Sequence, residues 1–220
     1  MTEITAPDRQ WRMPRSAKAP GWLLAAPMIA AFLYYFVRYP EYGMYDWGVS
    51  GQALAEGRWW TLLIHMFAHG GILHIAMNMA VLIGLSPILV LRLGRAPTSW
   101  VRYFGLFFVS GLAGAAVYLA INPHGAVPML GASGAIYGLV GALLRVSPDG
   151  PGLMPLWSRE MALAVRRFVT DNLLLIVIFT VPAFLSGSGG GLAWEAHVGG
   201  FAFGLIAGPL FFPRSRAMNI

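Results

Sequence analysis

Apolar residues gather into six runs along the chain, at 22–37, 72–91, 103–121, 130–144, 169–185 and 192–212, with charged or turn-forming residues between them. A hydrocarbon layer of roughly 30 Å is crossed by about 20 residues of helix, so the runs predict six membrane-spanning helices, the fourth short and glycine-rich. The stretch 38–71 breaks the pattern. It intersperses Tyr39, Tyr42, Tyr45, Trp47, Trp59 and Trp60 with polar residues, and amphipathic rings of that kind settle in the headgroup layer. An interfacial loop is predicted there, with partial helicity that would brace the bundle from the side.

Composition agrees with the pattern. Of 220 residues, 57% are hydrophobic and 11% charged, and a mean hydropathy of +0.64 excludes an ordinary water-soluble domain. The expected fold class is an all-α polytopic membrane protein. It would have a basic cytoplasmic tail over 1–20, a six-helix membrane domain over 21–213, and a short cytoplasmic tail over 214–220. Basic residues before an apolar run also describe a signal peptide, but no small-x-small cleavage site follows Phe36 and Val37, which predicts a retained first span.

The net charge of +6 raises nucleic acid as a partner. The basic residues instead lie in short clusters between the runs, as topology signals do. With the N-terminus inside, the inner segments hold thirteen of them: Arg9, Arg12, Arg15 and Lys18, then Arg92, Arg95 and Arg102, then Arg145, Arg159, Arg166 and Arg167, then Arg214 and Arg216. The outer segments hold only Arg38 and Arg58. This alternation predicts cytoplasmic N- and C-termini, with membrane lipids and membrane proteins as partners and no nucleic acid. The absence of cysteine removes disulfides, thiol catalysis and thiolate metal sites.

Small residues mark one helix contact. Ala196, Gly200, Gly204 and Gly208 recur every four residues, and Gly134, Gly138 and Gly141 fall in the fourth run, so the fourth and sixth helices are predicted to pack backbone to backbone.

Four polar residues stand inside the runs: His74, Asn78, Ser133 and His197. Groups of this kind face a protein interior or a water-filled cavity. Counting from the inner boundary at 1.5 Å per residue puts Ser133 about 12 Å, Asn78 about 9 Å, His197 about 8 Å and His74 about 3 Å below the outer surface. Residues from three separate runs thus share one outer layer, where water can reach them. Hydrolysis needs that access.

Ser133 lies in Gly131-Ala132-Ser133-Gly134 at the start of a helix, beside free backbone N–H groups and the positive end of the helix dipole. Those donors suit an oxyanion, although a serine between glycines also serves as a cap or packing residue. A nucleophilic serine needs a base, and His197 is the histidine of the later runs at matching depth. Glu195, two residues away, points to nearly the opposite helix face, and Asp171 belongs to the inner end of the fifth run, so a Ser-His dyad without a carboxylate is expected. His74 and Asn78 are four apart on one face, and both can donate to a developing oxyanion or, alternatively, bond a neighbouring helix. His65, His69 and His74 form H-x3-H-x4-H, a conceivable zinc set. No H-E-x-x-H follows and Gly70-Gly71 interrupts the helix, so neither metal nor cofactor is expected; His65 and His69 read as braces of the interfacial loop, and His124 as an exposed loop residue.

At these residues the chain resembles the rhomboid family of intramembrane serine proteases. The matching motifs are His65-Met66-Phe67-Ala68-His69 continuing to His74 and Asn78, Gly131-Ala132-Ser133-Gly134 with Tyr137, and Ala196-His197-Val198-Gly199-Gly200 with Gly204. They fall in order on the second, fourth and sixth runs. The resemblance implies a minimal six-helix version of the fold in a bacterial inner membrane, with the active site opening to the outer face. It also implies a Ser133–His197 dyad, oxyanion donors from His74, Asn78 and the Ser133 N–H, Gly131 and Gly200 as supporting positions, and Tyr137 packed against the imidazole. Substrates would be transmembrane helices cut near their outer ends. Arg92-Leu93-Gly94 resembles the family's turn after the second span. Two positions depart from the pattern: Thr61 follows Trp60 where many members carry Trp-Arg, and Val90 stands where many carry Glu.

A catalytically inactive rhomboid-like escort of membrane proteins is the competing reading. Relatives of that kind would be expected to lack the serine or the histidine. A channel or transporter would instead carry ionisable groups along a whole path.

Overall fold

The computed structural model describes residues 13–39, 45–148, 150, 152–185 and 193–213. Arg9, Arg12, Tyr42, Arg214 and Arg216, and with them most of the two tails, lie outside the described residues. Within them the chain is helical, with two isolated β-bridges and no strand.

The first long helix, α1 (Arg15–Arg38), contains Pro20 and Pro27 and turns Trp22, Leu23, Leu33, Tyr34, Phe36 and Val37 outward. An apolar face of this extent suits hydrocarbon or a partner chain rather than water. The stretch expected to be an interfacial loop is partly helical over its described residues. It holds a 3-10 turn (Tyr45–Trp47), the short helices α2 (Gly51–Ala55) and α3 (Thr61–Ile64), and a second 3-10 turn (His65–Phe67). Trp59, Trp60 and Leu63 point out, whereas Thr61, His65, Met66 and His69 are buried against the bundle. The Thr61 hydroxyl, following Trp60, donates to the Arg58 carbonyl at 2.7 Å and closes the start of α3.

The second and third long helices are α4 (Ile72–Arg92) and α5 (Thr98–Ile121). With α1 they are the three helices, among the described residues, long and apolar enough to cross a membrane. Ser86 joins all three. Its hydroxyl donates to the Leu82 carbonyl one turn back and accepts from the Tyr103 hydroxyl of α5 at 2.5 Å, while a Cβ on Gly21 of α1 would come within 2.6 Å of its oxygen. Val90 is buried in the apolar core, and Arg102 closes the following turn by donating to the Leu93 carbonyl at 2.8 Å.

The centre of the bundle is α6 (Ser133–Leu144). Its 12 residues rise only about 18 Å, and the neighbouring helices enclose it. It begins at Ser133 rather than at 130, because Met129 and Gly131 are tied elsewhere. Val49 and Met129 exchange backbone hydrogen bonds of 2.9 and 2.8 Å, and Gly131 N–H donates to the His65 carbonyl at 2.8 Å. Then come α7 (Arg159–Leu185), which starts ten residues before its apolar run, and α8 (Trp194–Ile206) with a closing 3-10 turn (Gly208–Phe211).

The predicted backbone contact between fourth and sixth runs is present and, among the described residues, is the most extensive between helices, followed by that of α8 with α5. A Cβ on Gly200 would overlap the Gly134 carbonyl, and one on Gly204 would overlap the Gly138 carbonyl. Side chains cannot fit there, so α6 and α8 meet main chain to main chain.

Candidate active site

That close contact sets Ser133 and His197 facing one another. Ser133 Oγ and His197 Nε2 are 2.6 Å apart across 64 residues of sequence. Ser133 is the first residue of α6, a position at which a hydroxyl could serve the helix end. Its hydroxyl is directed at the imidazole instead. The first N–H groups of a helix have no intrahelical acceptor, so the N–H of Ser133 and its successors stay available beside Oγ.

For Ser133 to donate its proton, Nε2 must be the unprotonated nitrogen, which leaves Nδ1 carrying the hydrogen. His197 Nδ1 is buried and has no hydrogen-bond partner among the described residues. Glu195 is turned away as its position on the helix requires, and accepts a hydrogen bond from Asn122 at 3.3 Å. The imidazole is held by a ring rather than by a carboxylate. Tyr137, one turn after Ser133, stacks on it with centroids 4.3 Å apart and planes within 5°.

His74 reaches the same place from α4. At Gly131 the backbone takes φ +120°, and a Cβ there would stand 2.7 Å from His74 Nε2 and 3.8 Å from Ser133 Oγ. Only glycine accepts both the dihedral and the approach. His74 Nε2 and Ser133 Oγ therefore border one small space next to the α6 N-terminus. The Gly70 N–H meets His74 Nδ1 at 3.4 Å, which orients the ring and leaves Nε2 as its N–H nitrogen. Asn78 is buried one turn further along α4 and uses one amide hydrogen on the His74 carbonyl at 2.8 Å, which leaves the second free to donate.

Of the sequence-derived set, the structure brings together Ser133, His197, Tyr137, Gly131 and His74 directly, with Asn78 adjoining and Gly200 as the point of backbone contact. His65 and His69 are buried outside it. Burial pushes the His65 imidazole down to about 4. It pushes His69 down to about 3, helped by neighbouring His74 and opposed by a bond to the Phe67 backbone. His124 is exposed, as expected.

Sequence reasoning passed over Asn172 and Phe168 of α7. The Tyr137 hydroxyl donates to Asn172 Oδ1 at 2.9 Å, and the Phe168 ring meets Tyr137 edge-on at 5.6 Å. The signal was present: Asn172 is a strongly polar residue inside an apolar run, the criterion that found Asn78. Its neighbour Asp171 and the nearby end of the run hid it.

Chemically, the arrangement offers a hydroxyl with a proton acceptor in contact, and N–H donors gathered on one side of that hydroxyl. Acyl transfer uses such a set.

Residues 56–214 match the Rhomboid domain family. The chain is 29% identical over 167 residues to Rhomboid protease GluP of Bacillus subtilis (strain 168), an alignment covering 76% of this chain and 29% of that protein. It is 30% identical over 163 residues to RHOMBOID-like protein 5 of Arabidopsis thaliana, covering 73% and 47%. It is 28% identical over 160 residues to Rhomboid-like protease 5 of Toxoplasma gondii, covering 69% and 16%. The chain thus spans less than half the length of each of these relatives.

Proposed function

Because the chain belongs to the rhomboid family of integral membrane proteins, we propose that it is an intramembrane serine endopeptidase cutting transmembrane segments of other proteins near the outer face. The observation that carries this reading is the 2.6 Å contact between Ser133 Oγ and His197 Nε2. Ser133 attacks the scissile carbonyl while Nε2 takes its proton. The oxyanion forms beside the α6 N-terminus, where the Ser133 N–H, His74 Nε2–H and Asn78 Nδ2–H donate to it. The leaving amine collects the proton from His197, and water then releases the acyl group from Ser133 by the same steps in reverse roles. Without a carboxylate at Nδ1, the imidazolium formed midway rests on the face of the Tyr137 ring, an attraction of the cation–π kind.

The same reading has six crossings, with N- and C-termini on the cytoplasmic side of a bacterial inner membrane. The thirteen-to-two distribution of basic residues supports it. Substrate helices need a local weakness in this scheme, since a regular helix keeps its carbonyls bonded and away from Ser133.

The test is co-expression with a panel of tagged single-span proteins. Wild type is expected to release a shorter fragment from at least one of them, and Ser133→Ala and His197→Ala from none. Equal cleavage by wild type and Ser133→Ala would sink the assignment. Labelling of Ser133 by a fluorophosphonate, lost in Ser133→Ala, checks the nucleophile independently of any substrate.

A further inference from the structure

The helix α7 grips the floor of the site at two points one turn apart. Asn172 Oδ1 accepts from the Tyr137 hydroxyl at 2.9 Å, and Asn172 Nδ2 donates to the Phe168 carbonyl at 2.8 Å. The second bond fixes which end of the amide faces the tyrosine, because an amide nitrogen cannot accept. Phe168 itself stacks on Phe201 of α8, with centroids 4.7 Å apart and planes within 6°. Tyr137 lies four residues after Ser133, and Phe201 four residues after His197. Asn172 and Phe168 thus hold the residues immediately beneath both members of the Ser–His pair.

We infer that Asn172 is a positioning residue for the reaction: by holding the Tyr137 hydroxyl it fixes the ring plane on which the His197 imidazole rests. The inference depends on the proposed function. Its physical basis is that His197 has no protein partner at Nδ1 among the described residues, so the stacked ring restrains the rotation of the imidazole. A Tyr137 ring released from Asn172 can tilt, and Nε2 then leaves the line to Ser133 Oγ. A misplacement of about 1 Å can cost up to about a hundredfold in rate, and Asn172 is not among the groups that the proposed mechanism brings to the scissile bond.

The experiment compares Tyr137→Phe, Asn172→Leu, their double variant and Asn172→Asp in detergent, each titrated by fluorophosphonate so that only folded sites are counted. Tyr137→Phe keeps the ring and the stacking area, and so carries the test if Asn172→Leu does not fold. Each single variant is expected to lower kcat per titrated site about tenfold with KM within about twofold. The double variant should lose no more than either single one, because both remove the same bond. Asn172→Asp, which retains the acceptor, should recover most of the loss. Unchanged kcat per site in both single variants, or losses that multiply in the double, would overturn the inference while leaving the proposed function standing. A wild type that neither labels nor cleaves would overturn the proposed function, and this inference with it.

Discussion

The Asn122 side-chain amide donates to the Glu195 carboxylate at 3.3 Å, holding it on the side of α8 turned from His197. A carboxylate so engaged does not orient an imidazole two residues along the helix. Glu195→Gln is therefore expected to keep kcat within about twofold of wild type, whereas loss of a true triad carboxylate lowers it roughly 10⁴-fold. Steady-state cleavage of a purified substrate measures the difference. A fall beyond about a hundredfold would give Glu195 a part in the chemistry.

Ser133 and His197 act as one unit in this mechanism, so their losses should not add. Ser133→Ala and His197→Ala are each expected to lower kcat by about 10³-fold or more, and the double variant no further. Single-turnover rates on the three variants test this. Multiplying losses would mean that the two residues work separately.

Asn78 has one amide hydrogen left after serving the His74 carbonyl. If that hydrogen meets the oxyanion, Asn78→Ala lowers kcat by about 10² to 10³, equivalent to roughly 2.7 to 4 kcal/mol, with thermal stability little changed. Turnover equal to wild type would return Asn78 to a purely structural role.

Two glycines make opposite predictions. At Gly200 a side chain would collide with the Gly134 carbonyl, so Gly200→Val is expected to destabilise by about 3 kcal/mol or more and to abolish fluorophosphonate labelling. Gly84 has open space around it in mid-α4, and Gly84→Ala should stabilise by roughly 0.5 to 1 kcal/mol through helix propensity alone. Thermal unfolding in detergent reads both.

His65 and His69 are held neutral by burial, with folded values of about 4 and about 3. The unfolded chain takes up protons on them from about pH 6.5 downward while the folded chain does not. Stability should be flat above about pH 6.5 and fall as pH drops from there toward 4, by on the order of 3 kcal/mol for His65. His65→Phe should flatten part of that fall. A midpoint unchanged between pH 7 and 4.5 would contradict the burial.

The Ser133–His197 pairing was legible in the sequence because depth along a helix is a linear quantity that can be counted from a charged boundary. The facing of α6 and α8 was legible because Gly134, Gly138, Gly200 and Gly204 leave a stripe without side chains. Neither device reports sideways placement. The approach of Asn172 to Tyr137 depends on where α7 sits around the bundle, which no spacing within α7 encodes. Helix edges escaped for a similar reason: α6 starts at Ser133 because His65 and Val49, far away in sequence, draw Gly131 and Met129 into other bonds. The Ser86–Tyr103 bond went unnoticed because a serine in an apolar run usually returns its hydroxyl to its own helix, and Ser86 does this as well.

The contacts of Gly200 with Gly134 and of Gly204 with Gly138 involve only main chain, and main chain has no alternative rotamers with which to absorb a misfit. Sliding α8 by one residue would carry His197 about 1.5 Å along the axis and about 100° around it. Neither movement leaves Nε2 near Ser133 Oγ. The two helices therefore work like a key cut at two teeth: one register closes both, and the same register is the one in which the hydroxyl finds its base.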